Sequence, residues 1–286
     1  MKNKWVKVIQ IVSLLIAVGF LCLQIGSLVV HSYYEAEYID DRLFYVFNII
    51  IVIGVSVNLL LTFKKKVALV IVSCAVVILL SVQSYLLFQS NQHIQQITNV
   101  SPDLQEVFSV KKNLDTGTAT YYRSYYGILG RPKEDLESSI SETGNIEWIA
   151  DDIAVFTYTD IDHNIRQFVG TYGDRQDGRS YSYVEAQIRG EWEGEQTTLS
   201  ATSEGVTIVH NGTSQFFKWE QAKQYGTLAI VFSENNQAKW TIGLGEDFHY
   251  DENTPDPPIG SIILYEASME GVLPVKLMYS GQTPLS

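Results

Sequence analysis

Three stretches within the first 92 residues carry no formal charge, and each is long enough to cross a lipid bilayer. Between Lys7 and His31 lie 23 such residues (VIQIVSLLIAVGFLCLQIGSLVV), and between Arg42 and Lys64 another 21 (LFYVFNIIIVIGVSVNLLLTF). From Val67 to Gln92 there are 26 more, beginning VALVIVSCAVVILLSVQSYLLF. A helix of such length reaches roughly 35 Å, against about 30 Å of hydrocarbon core. A lone segment in lipid can satisfy its own backbone only as a helix. The spacing therefore predicts transmembrane helices over about 8–30, 43–63 and 67–90, within an anchor of residues 1–92. A cleaved signal peptide competes for the first run, and Lys2, Lys4 and Lys7 fit it. The run is longer than a usual signal core, however, and no A-x-A site follows. For the other two, length and the missing polar face argue against a buried hairpin of a soluble core.

Charge divides the chain at the same place. Residues 1–90 hold seven Lys/Arg and four Asp/Glu, a net +3, whereas residues 91–286 hold thirteen and twenty-eight, a net −15. Such a domain repels phosphate, which excludes nucleic acid as a partner. The Lys/Arg bias sets orientation. The N-terminus and the Lys64-Lys65-Lys66 turn are basic, while the first connection, HSYYEAEYIDDR, has one Arg and four acids. The basic ends are expected in the cytoplasm and everything from about residue 93 outside. Tyr33, Tyr34, Tyr38 and Tyr45 then fall at the outer interface, as an aromatic belt would.

Gln24, Asn48, Asn58 and Gln83 lie within the spans and are expected to hydrogen-bond between helices. No span holds a formal charge, which weighs against an ion or proton path. Cys22 and Cys74, the two cysteines, are both in spans. The outer domain thus has no disulfide framework and no thiolate chemistry, which suits a bacterial surface, particularly a Gram-positive one.

Residues 93–105 read as a polar linker, and residues 106–286 as an acidic β-rich domain. Short runs rich in Tyr, Phe, Val, Ile, Thr and Trp alternate there with Gly, Asn and Asp clusters. Candidate strands are 118–129, 146–150, 153–159, 165–172, 180–192, 205–210, 214–219, 226–232, 239–244, 261–267 and 274–280. Tight turns at Asp162-His163-Asn164, Asp174 to Gly178, Asn211-Gly212 and Asn235-Asn236 make successive strands antiparallel. Short helical windows are read at Lys133–Ser139 and Glu220–Gln224. The expected fold is a three-helix anchor plus an antiparallel β-sandwich or open, barrel-like domain.

Three constellations could carry chemistry. The segment GEDFHYDENTPDPP gathers Glu246, Asp247, His249, Asp251, Glu252 and Asp256. Asp247, His249 and Asp251 are its candidate ligands for a divalent cation, the one cofactor considered. The plainer reading is a solvated acidic loop. DIDHN (Asp160, Asp162, Asn164) opens like a calcium loop, but Ile165 stands where Gly belongs and Thr171 where Glu belongs, so a hairpin turn is expected. YYRSYY (Tyr121, Tyr122, Tyr125, Tyr126) and SYSY (Tyr181, Tyr183) could stack on sugars or simply pack in strands. Neither G-x-S-x-G nor H-E-x-x-H occurs.

The runs ADDIAVFTYTD and RQFVGTYGDRQDGRSYSYV, with GTLAIVF and KWTIGLGEDF, resemble an uncharacterised family of small membrane- or lipid-anchored proteins from Gram-positive bacteria. The likeness covers roughly residues 120–270, centres on VGTYGDR, and implies compartment and fold but no activity. The chain as a whole reads as an integral plasma-membrane protein presenting a non-catalytic binding or interaction domain outside the cell. Its partners are the lipid bilayer, other membrane proteins, and a cationic peptide or cell-wall ligand. The alternatives are a metal-dependent envelope hydrolase using the loop at 246–256, and a structural subunit of a membrane complex.

Overall fold

A computed structural model describes residues 2–125, 127–175, 183–251, 254 and 256–281. The chain divides into two compact units, Met1–Thr98 with Ser109–Asp135, and Asn99–Phe108 with Leu136–Ser286.

The first unit opens with α1 (Lys2–Tyr34), the two-residue strand β1 (Glu37–Tyr38), α2 (Arg42–Thr62) and α3 (Lys66–His93). All three helices are long and apolar enough to cross a membrane. They extend the expected spans at most ends because nothing in the flanking sequence breaks a helix. α2 packs between α1 and α3. Residues 93–105, expected as a linker, instead carry β2 (Ile94–Val100), which leaves α3 without a break. The chain returns as β3 (Val107–Asn113), β4 (Ala119–Tyr125) and β5 (Leu129–Asp135). These strands form one sheet in the order β1-β5-β4-β3-β2. The first connection between helices is thus part of a sheet, with Glu37 opposite Gly130 and Tyr38 opposite Leu129. Lys133–Ser139, read as a helical window, begins inside β5. Pro132 is tolerated there because β1 covers only Leu129 and Gly130, so the rest of that edge needs no donor.

The second unit begins with a meander of β6 (Ile140–Ala150), β7 (Ile153–Asp160) and β8 (Ile165–Thr171). Every residue of β7 is buried. The helix α4 (Val184–Gln187) follows, then β9 (Gly190–Gly194), β10 (Thr197–Ala201), β11 (Gly205–His210) and β12 (Thr213–Lys218). A 3-10 turn at Trp219–Gln221 leads into β13 (Ala222–Tyr225), β14 (Ala229–Glu234), β15 (Gln237–Leu244), β16 (Ser261–Glu266) and β17 (Val275–Gly281). Two expectations change here. Residues 180–192 do not form one strand: 180–182 lie outside the described residues, and Val184 and Ile188, four apart and fully buried, fit a helical turn. The window Glu220–Gln224 is a single 3-10 turn followed by strand.

Strands β9 to β17 form a nearly closed antiparallel barrel. Its order is β12-β11-β10-β9-β17-β16-β15-β14-β13, so the first and last strands pair while the middle two, β12 and β13, do not. Asn211-Gly212 and Asn235-Asn236 all have positive φ, the geometry that two-residue hairpins require. The interior is filled by Trp192, Leu199, Ile208, Phe217, Phe232, Ile242, Leu264 and Leu277. On the outside of β15, Gly243 is bare because a Cβ would lie 2.7 Å from Ile149 Cδ1. That close approach seats the meander on the barrel, where Thr241 donates to Gln167 Oε1 at 2.7 Å and the Tyr225 hydroxyl to the Gln167 carbonyl.

Candidate functional site

The α1–α2 contact is built on small and polar residues. A Cβ on Gly54 would lie 2.9 Å from Ala17 Cβ and from the Ser13 carbonyl, so only Gly allows the two backbones this close. Toward the Tyr34 end of α1, Gln24 (5 % exposed) accepts from the Tyr38 hydroxyl at 2.9 Å and donates to Asn48 Oδ1 at 2.9 Å and the Phe44 carbonyl at 2.8 Å. Asn48 Nδ2 reaches Gln83 Oε1 of α3 at 3.4 Å. Toward the other end, Asn58 donates to the Gln10 carbonyl at 2.8 Å and Gln10 to Thr62 Oγ1 at 3.1 Å. The four span residues singled out by sequence thus divide into two clusters. Between them stand the Ala17–Gly54 contact and the Phe20–Phe47 ring pair, centroids 5.0 Å apart. The polar groups join helices rather than line a continuous path.

Above the Gln24 cluster lies a buried cation that the sequence reading missed. Lys111 of β3 is 7 % exposed. Its Nζ donates to Glu37 Oε1 at 2.8 Å, Asp41 Oδ1 at 2.7 Å and the Tyr38 carbonyl at 2.9 Å, which uses all three N–H groups. The Tyr122 ring covers it, centroid 4.4 Å away. Burial works to raise the Glu37 carboxyl, but Lys111, the Tyr122 hydroxyl and His31 together hold it below the usual carboxylate value. Tyr122 is pushed well up, first by burial and then by its hydrogen bond to Glu37. Asp40 is lowered too: burial opposes, and Arg42 prevails through its side chain and backbone N–H. Asp41 Oδ2 accepts from Gln96 Nε2 at 3.1 Å, and Gln96 Oε1 is buried with no partner among the described residues.

Of these groups, His31, Glu37, Tyr38 and Asp41 border a cavity of about 390 Å³. Its walls are Ser27, Leu28 and His31 of α1, Glu37 and Tyr38 of β1, Asp41, Phe44 and Tyr45 of α2, and Ser90 and Ile94 where α3 meets β2. An apolar pocket with a few convergent polar groups is the usual form of a small-molecule site. Known protein families, curated proteins and solved structures were compared with this chain, and none matches. The likeness centred on the VGTYGDR run stands without a family behind it.

In the acidic segment after β15, Glu246 and Asp247 take different partners. Asp247 Oδ1 accepts from the backbone N of Ser261 at 3.1 Å and from the Ser261 hydroxyl, and Oδ2 accepts from Lys276 Nζ at 3.1 Å. The Ser261 hydroxyl, with Lys276 behind it and burial opposing, lowers the Asp247 carboxyl. His249 is exposed and bridges Ile259 through its backbone, and the Asp251 carbonyl accepts from Thr254 N at 3.3 Å. Glu246 turns to the β6–β7 turn instead, accepting from Asp151 N at 3.1 Å. Glu252 lies outside the described residues. Among the described residues no three His, Cys, Asp or Glu side chains are placed to hold a metal ion.

The DIDHN run is a hairpin turn between β7 and β8. Asp160, 1 % exposed, accepts from Asp162 N and Asn164 N at 2.9 Å each and pairs with Arg166 Nε at 2.8 Å. Of the tyrosine runs, Tyr121 is buried, Tyr122 covers Lys111, and Tyr125 and Tyr183 are exposed. Tyr126 and Tyr181, like Gly178 of the 174–178 turn, lie outside the described residues. Ser109-Val110-Lys111-Lys112 spells S-x-x-K, a nucleophile–base spacing on a helix. In β3 the first and fourth residues point to opposite faces, so Ser109 meets Thr98 Oγ1 at 3.2 Å rather than Lys112.

Proposed function

We propose that the protein is a non-catalytic interaction module of a bacterial plasma membrane, anchored by α1–α3 and carrying its acidic β domain outside the cell. The Lys111 cluster is the observation that carries this reading. It commits a buried lysine and two carboxylates to tying the connection between α1 and α2 to β3, a binding surface's need for fixed geometry rather than an enzyme's need for free acid and base. Orientation follows from Lys4, Lys7 and Lys64–Lys66 at the ends away from that cluster. The net charge of −15 over residues 91–286 gives the outer surface an attraction for cationic peptides, with a range of about 8 Å at physiological salt.

The test uses the full chain in its membrane. Protease added to intact cells should remove the β domain and spare the anchor, and an oligolysine probe should bind with an affinity that falls steeply with salt. Protection of the β domain reverses the orientation. Binding that ignores salt removes the electrostatic reading.

A further inference from the structure

The cavity beside Lys111 has the form of a headgroup site. Glu37 and Asp41 bring two carboxylates to it against the one ammonium of Lys111, whose donors are all committed. Asp40 does not enter this balance, because Arg42 takes it up at 2.5–2.9 Å. Among the described residues the two carboxylates thus outnumber the one ammonium beside them, with the His31 imidazole of α1 a nitrogen base on the cavity wall. The two aromatic walls, Phe44 and Tyr45, stand edge to face with centroids 5.5 Å apart, a surface that accepts cations.

Two further properties select an amphiphile over a soluble cation. The rim carries Leu28 (57 % exposed) and Phe44 (36 % exposed), on helices whose outer faces are largely apolar below this level. A hydrocarbon chain can thus lie against the bundle while its polar end enters. The same walls also hold hydroxyl donors: the Tyr45 and Ser90 side chains have no hydrogen-bond partner among the described residues. Carboxylates and hydroxyls lining one cavity match a zwitterion, with ammonium to Glu37 and Asp41 and phosphate to the Tyr45 and Ser90 hydroxyls.

We infer that this cavity binds the headgroup of a bilayer lipid that ends in an ammonium group. The inference rests on the helices lying in a bilayer, and not on which side the β domain faces.

The experiment reconstitutes the full chain into vesicles of phosphatidylethanolamine mixed with phosphatidylglycerol, extracts it in mild detergent, and measures retained lipid by mass spectrometry. Ammonium-bearing lipid should be enriched over phosphatidylglycerol. Ser90→Phe, which fills the cavity without touching a carboxylate, should cut that enrichment about tenfold, a typical worth of one charge-assisted contact. Ser27→Leu fills the opposite wall and guards against a folding defect of the first variant, and Val77→Phe on the exposed face of α3 should change nothing. Phosphatidylglycerol retained as well as phosphatidylethanolamine overturns the inference. So does enrichment that survives both filling variants. A chain that does not enter vesicles at all overturns the membrane reading itself, and this inference with it.

Discussion

Lys111 Nζ lies 2.7 Å from Asp41 Oδ1, a carboxylate seventy positions earlier in the chain. The contact joins the start of α2 to β3. Replacing Lys111 with Met leaves Glu37 and Asp41 side by side without a cation, at a cost of about 3 kcal/mol. Denaturant unfolding of the detergent-solubilised full chain would measure it.

The same cluster sets an acid limb. Burial would raise Glu37, but Lys111 and Tyr122 outweigh it and the folded value is depressed. Its contribution is therefore complete above the unfolded carboxylate range, about pH 4, and is lost as pH falls through the folded value. Glu37→Gln should flatten stability between about pH 4 and pH 2 relative to the unmodified chain. Parallel curves would show that Glu37 gains nothing from its partners.

Gly54→Val should separate α1 from α2. Its side chain would collide with Ala17 and the Ser13 carbonyl, both 2.9 Å from the first added carbon. Overpacking of this kind costs about 1–3 kcal/mol. Gln24→Leu should cost less, about 1 kcal/mol, since membrane hydrogen bonds contribute little each. The order of the two effects, read from unfolding in mixed detergent, is the test.

Asp160→Asn should destabilise the second unit by about 3 kcal/mol by leaving Arg166 beside a neutral amide. Burial opposes the ionised Asp160, and Arg166 with the turn amides lowers its carboxyl. The difference between the variant and the unmodified chain should thus be full at neutral pH and shrink as pH falls below about 4. A difference that persists in acid would point to packing instead of charge.

Asp151 behaves in the opposite sense. Desolvation first, then Glu246, Asp103 and Asp152, raise its carboxyl. Its folded value lies above the unfolded one, so its ionised form opposes folding at neutral pH and the penalty fades as pH falls. Asp151→Asn should raise the melting temperature at neutral pH, with the gain shrinking in acid. A lower melting temperature would show that the carboxylate has a role in the turn.

The helices were legible because a run of about twenty residues without a charge suits hydrocarbon far better than water. The hairpins at Asn211-Gly212 and Asn235-Asn236 were legible because those residues tolerate the positive φ the turns need. Lys111 was not. VFSVKKN is not among the strands expected from sequence, yet it is one, six of its seven residues are buried, and the acids that pair with Lys111 lie on the connection between α1 and α2. Within the acidic segment, nearness in sequence did not foretell direction: Glu246 reaches toward Asp151 and Asp247 toward Ser261. VEAQI failed as a strand because its buried residues, Val184 and Ile188, are spaced for a helical turn.

The pairing of β9 with β17 also orders events in time. Met278 and Tyr279 close the barrel against Glu193 and Trp192, and they are made more than eighty residues after those partners. Until they emerge, β9 and β16 each present an open edge, and Trp192 lacks the Tyr279 ring that meets it at 5.2 Å. A nascent chain of this protein must keep those edges from other strands until β17 has been made. The unpaired seam between β12 and β13 marks where a permuted gene could begin instead, so that the strands made first and last would be the two with no ladder to complete.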